Sequence, residues 1–89
     1  MSNIESSLKI NIGCGLNIRP SYINYDLIPL HQSVIKHDLE NMNLPHADNS
    51  IEKIIAQDVL EHISNLSRVM NDCHRVLKPG GEFIIRVPH

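Results

Sequence analysis

The stretch LKINIGCGLN, residues 8–17, decides how the rest of the chain is read. Leu8, Ile10 and Ile12 alternate with Lys9 and Asn11, the period-two pattern of a strand, and Gly13-Cys14-Gly15 follows at once. Glycines at the carboxyl end of a strand let a ligand approach the backbone, and open α/β sheets bind ligands in the crevice outside those ends. The same glycines equally fit a plain turn that ends the strand. Ile18 stands where the dinucleotide fingerprint GxGxxG needs its third glycine, and no GxxxxGK[ST] loop occurs, which argues against nucleoside triphosphate hydrolysis.

Working outward, YINYDL (22–27) repeats the alternation, and SVIKHDL (33–39) is a third strand. ENMNLPHADNS (40–50) is rich in Asn, Pro and Asp and reads as a loop. IEKIIAQ (51–57) is a fourth, more continuously apolar strand, and EFIIRVP (82–88) a fifth, ended by Pro88. Between these two the period changes. Leu66, Val69, Met70, Cys73 and Leu77 form one helical stripe over residues 65–78, with Ser64 as N-cap and KPGG (78–81) as the stop. Met70 and Cys73 therefore read as core packing.

Strands joined by connections too long for hairpins, one of them helical, give an α/β fold with a mostly parallel sheet of about five strands. Only about nine residues separate the first two strands and about six the next two. A parallel crossover normally takes about a dozen, so few covering helices are expected. The polar residues of the first two strands agree, because a sheet covered on both faces reads as continuous apolar runs. One thinly covered face is expected, solvated or, given Tyr22 and Tyr25, covered by self-association or a partner chain.

The 89 residues make one domain, 8–89, after a loose segment 1–7. With one Phe, two Tyr and no Trp, the core falls to Ile, Leu and Val. A net charge of −2 with scattered Lys and Arg disfavours a nucleic-acid surface. Cys14 and Cys73 form no CxxC pair and read as free thiols of a reducing compartment. EHIS lacks the second histidine of a zincin helix, so no metal is expected. No apolar run approaches the ~18 residues of a membrane span, and no signal pattern begins the chain, so a cytoplasmic location is expected.

Two carboxylates follow the glycine loop in chain order. Asp26 ends the second strand, where an acidic side chain can accept both ribose hydroxyls of a nucleoside. Asp38 ends the third, where a carboxylate can receive an adenine amino group. Each alone also fits a solvated turn aspartate; their conjunction with the loop carries the signal.

INIGCG, YINYDL, KHDLENMNLP, DNSIEKIIAQDVLEHI and RVLKPGGEFIIRVP together resemble the class I S-adenosylmethionine-dependent methyltransferases, specifically the small-molecule type 11. The resemblance runs from about Leu8 to Pro88, with RVLKPGGEFII after DVLEHI its most specific part. It implies a Rossmann-like sheet of order 3-2-1-4-5 and S-adenosylmethionine as cofactor. By resemblance, Gly13, Cys14 and Gly15 pass the methionyl part and ribose, and Asp26 holds the ribose hydroxyls. Leu27 and Ile28 lie against adenine, Asp38 takes its amino group, and the Leu39 backbone takes a ring nitrogen. Gln57 sits near the cofactor's amino group and sulfonium. Glu61 and His62 lie just beyond; they fit first-turn helix residues, and His62 is the one candidate general base.

The chain departs from the family at three points. Asn11 stands where an acidic residue is common, and Asn17, which tolerates left-handed angles, replaces the third glycine. Members also continue past the fifth strand into two more strands and an acceptor-binding region, whereas this sequence stops at His89. The expectation is a truncated cofactor-binding portion of a methyltransferase with an unidentified, small-molecule acceptor. Its rivals are a non-catalytic regulatory module of the same fold and a nicotinamide-dependent dehydrogenase, against which the absent GxGxxG counts.

Overall fold

The computed structural model describes residues 8–86. The expected loose segment 1–7 and the terminating Pro88 lie outside the described residues. Five strands form one sheet: β1 Leu8–Ile12, β2 Ile23–Asp26, β3 Ile35–Lys36, β4 Ile51–Gln57 and β5 Leu77–Arg86. Their order is β3-β2-β1-β4-β5 and every pair is parallel, as expected. Among the described residues, one helix, α1 (Leu66–Val76), and a 3-10 turn (Leu60–His62) complete the regular structure. The third strand is shorter than its apolar run suggested, and the connections 13–22 and 27–34 contain only turns and bends.

Residues paired across a parallel ladder share a face. Ile10, Ile23 and Ile54 lie at one level and Ile12, Tyr25 and Ala56 at the next. This face carries the core, closed by Val69, Cys73 and Val76 of α1 and by Leu44 from the β3–β4 connection. Each such buried aliphatic side chain contributes about 1.5–3 kcal/mol. The stripe of α1 thus falls on 69, 73 and 76, whereas Leu66, expected in it, is exposed.

The opposite face corrects an expectation. Asn11 and Asn24, which pair across β1 and β2, are not solvated but buried. Asn11 Nδ2 donates to Asn24 Oδ1 at 2.9 Å and to Asn17 O at 2.8 Å. Asn24 Oδ1 also accepts from Arg19 N, and its Nδ2 donates to the Arg19 and Tyr22 carbonyls. The chain's own segment 17–22 therefore covers these strands where a crossover helix would; the amide pairing offsets part of the desolvation, while Asn11 Oδ1 stays buried without a partner among the described residues. Tyr25 points the other way, into the core, and its hydroxyl lies 2.9 Å from His46 Nε2.

The helix ends also differ. Asn65, not Ser64, is the N-cap, its side chain accepting from Arg68 N at 3.3 Å. The Ser64 and Asn65 N–H groups instead donate to the two oxygens of the Glu40 carboxylate, both at 2.9 Å. At the other end α1 stops at Val76, because the Arg75 and Val76 carbonyls accept from Asn49 N and Ser50 N in the approach to β4. Residues 78–81 consequently lie inside β5, where the register against β4 jumps: Ile51 pairs with Leu77, but Lys53 with Glu82. Gly80, at φ +81°, makes that irregularity possible.

Candidate functional site

The carboxyl ends of β1, β2 and β4 and the turns that follow β3 and β4 meet in one cleft of about 430 Å³. Its floor is the glycine loop. Gly13 and Cys14 donate their N–H groups to the Tyr25 carbonyl, at 2.9 and 3.2 Å, and Gly15 N donates to Asp26 Oδ2 at 2.8 Å. The loop is thus stapled to the end of β2. Gly13 and Gly15 adopt φ +67° and +53°, the left-handed region that a glycine enters without strain. At Gly13 a β-carbon would collide with the Val59 side chain, so the loop and the turn after β4 meet only because this residue is glycine. Asn17 does not take over the left-handed role expected of it; its N–H donates to Cys14 O and its carbonyl accepts from Asn11.

Asp26 Oδ1 also accepts from Ile28 N at 3.0 Å. Each carboxylate oxygen therefore has one backbone donor and a second lone pair in reserve. Asp38 is held similarly, by Asn41 Nδ2 at 2.8 Å and Glu40 N at 3.1 Å. The Asn41 side chain, with the Glu40 N–H, draws the Asp38 carboxyl below its ordinary pKa and keeps it charged. The Cys14 thiol is pushed up, first by burial and then by the Asp26 charge, so it packs rather than reacts.

Of the residues singled out in the sequence, the cleft brings together Gly13, Cys14, Gly15, Asp26, Leu27, Asp38, Leu39, Gln57 and His62. Gln57 Oε1 is buried with no hydrogen-bond partner. His62 is exposed, with its Nε2 3.8 Å from Glu61 Oε2. Ile28 does not line the cleft: the chain turns away after Leu27, and Ile28 is 69% exposed. Sequence reasoning missed His37, Glu40, Asp58, Val59 and Ile63, which also line it. Asp58 carried no sequence signal; it takes φ +54° directly after β4. His37 is buried against the Tyr25 ring, at 5.5 Å between centroids.

Residues 14–85 match the family model described as "Methyltransferase domain". The chain belongs to this methyltransferase family.

Its relatives include dimethylglycine N-methyltransferase of Parasynechococcus marenigrum, 34% identical over 79 residues. That alignment covers 89% of this chain and 28% of the relative. Arsenite methyltransferase of Halobacterium salinarum is 32% identical, over 80% of this chain and 19% of the relative. Among solved structures, an S-adenosylmethionine-dependent methyltransferase from Mesorhizobium loti superposes with a TM-score of 0.72 at 18% identity, covering 92% of this chain and 46% of that one. A second, from Methanococcus maripaludis, gives 0.64 at 16% identity over 92% and 48%. At such identities these two structures establish the fold alone. The chain spans 28% of the first relative's length. Among the described residues no helix is long and apolar enough to cross a membrane.

Proposed function

We propose that this chain is the S-adenosylmethionine-binding portion of a cytoplasmic methyltransferase acting on a small-molecule acceptor. The observation that carries the reading is the pair Asp26 and Asp38, at the ends of adjoining strands and on one cleft with the glycine loop.

The donor set fits such a cofactor. Asp26 keeps a free lone pair on each oxygen for the two ribose hydroxyls. Asp38, held ionised, suits an adenine amino group. The turn gives the N–H groups of Glu40, Asn41 and Met42 acceptors, whereas the Leu39 N–H has none among the described residues, and it suits a ring nitrogen. The Leu27 side chain, which lines the cleft, would cover one face of the base. The unpartnered Gln57 Oε1, on a residue that lines the cleft, suits an ammonium donor, and Gly13 to Gly15 would give the methionyl chain close backbone approach.

When bound, S-adenosylmethionine supplies a methyl on a sulfonium: the acceptor lone pair forms the new bond, the carbon–sulfur bond breaks, and a neutral thioether leaves. The chain's own contribution is alignment, which suffices for a leaving group of that quality. His62, exposed at the cleft, would take the proton of a hydroxyl or amine acceptor. The relatives act on acceptors as different as dimethylglycine and arsenite, so the acceptor is left open.

Calorimetric titration with S-adenosylhomocysteine tests this. Binding to the wild type that is lost in Asp26→Ala supports it; equal binding by the variant contradicts it. We also infer self-association at the β3 edge, where Ile28, Leu30 and Ile35 are exposed. Sedimentation should show a dimer at high concentration, and a monomer throughout would refute it.

A further inference from the structure

Arg68 lies on the first turn of α1 and does not line the cleft. We propose that it is nonetheless the positioning residue that sets nucleobase selectivity there, an inference that rests on the cofactor reading above. Its Nη2 donates to the Leu39 and Glu40 carbonyls, both at 2.8 Å, with the Met42 carbonyl farther off at 3.5 Å. Nη1 donates to Asn43 Oδ1 at 2.8 Å. One planar guanidinium therefore gathers the outward carbonyls of the turn that follows Asp38, a task for which a fork of donors is suited and a point charge is not.

The consequence lies on the other side of the turn. The Asp38 carbonyl accepts from Asn41 N and Met42 N, at 3.3 and 3.0 Å, and so faces the inside of the turn. In a trans peptide the N–H of the next residue points the opposite way, which leaves the Leu39 N–H outside the turn. Glu40 N, in the peptide whose carbonyl Arg68 holds, donates to Asp38 Oδ1. A single anchored turn thus fixes an acceptor, the Asp38 carboxylate, beside a donor, the Leu39 N–H. A return strap completes the anchor: the Glu40 carboxylate accepts from Ser64 N and Asn65 N at the start of α1.

Acceptor beside donor complements adenine, whose edge offers an amino group next to a ring acceptor. It opposes hypoxanthine, which offers a carbonyl next to a ring N–H. With the turn anchored, the cleft distinguishes the two bases. With the turn loose, each base finds partners and the distinction fades.

The test is calorimetric titration of the full chain with S-adenosylhomocysteine and S-inosylhomocysteine, in wild type, Arg68→Ala, Arg68→Lys and Asn43→Ala. Wild type should prefer the adenosyl compound by at least about tenfold, the scale of one matched hydrogen bond. The preference should shrink to within about twofold in Arg68→Ala while inosyl binding is retained, and fall partway in Arg68→Lys and Asn43→Ala. A uniform weakening of both ligands, with the ratio kept, would make Arg68 merely structural and overturn the proposal. Should Arg68→Ala fail to fold, an unchanged ratio in the other two variants overturns it equally. A wild type that binds neither ligand refutes the cofactor reading itself, and this inference with it.

Discussion

Gly13 leaves no room for a side chain: its left-handed φ is strained for any L residue, and a β-carbon would meet Val59. Gly13→Ala should therefore lower stability by about 1–3 kcal/mol, read as a shifted urea midpoint. Gly15→Ala, equally left-handed but facing open space, should cost less. An equal shift for both would mean that Val59 gives way freely. At this scale much of the lining of the candidate cleft was legible. The alternating strands placed Gly13, Asp26, Asp38 and Gln57 at strand ends, and strand ends of a parallel sheet converge. Val59 and Glu40 were not legible, because they reach the cleft through the approach of separate loops, which no local pattern encodes. Ile28 lies off the cleft for a local reason: its N–H donates to Asp26 and the residue is left exposed.

The connection 37–50 shows how an element without regular structure is fastened. Arg68 and Arg75 hold its carbonyls, Asp72 accepts from Leu44 N at 2.6 Å, and Glu40 reaches back to α1. The Ser64 and Asn65 N–H groups hold the Glu40 carboxyl below its ordinary value of 4.5. A carboxyl depressed in the folded state contributes stability that is present above its unfolded pKa and lost as pH falls through the folded value. Urea midpoints should therefore drop as pH falls below about 4.5, and Glu40→Gln should flatten that drop. An acid limb unchanged in the variant would show that this cap is not the group responsible. Element identity followed from periodicity, since a stripe of period 3.6 between strands of period two admits only a crossover helix. Element ends did not, because the cap of α1 comes from Glu40 and its stop from Asn49 and Ser50, all remote in sequence.

Over the whole molecule, the sheet order followed from the resemblance and the parallel pairing from connection lengths, and both are observed. The polar alternation of β1 and β2 was misleading. It marks buried amides that fasten segment 17–22 in place of a helix, an arrangement indistinguishable in sequence from a wet face. The cleft lies at the carboxyl ends of the strands, and the central claim is that it holds S-adenosylmethionine. A ¹⁵N–¹H correlation spectrum recorded while S-adenosylhomocysteine is added tests it most directly. The account predicts saturable shifts confined to the amides of Gly13 to Gly15, Asp26 to Ile28, Asp38 to Glu40 and Gln57 to Val59, with the Leu39 amide moving downfield as its N–H gains an acceptor. A spectrum that does not change at saturating ligand, or shifts centred on residues 18–22 on the opposite face, would contradict it.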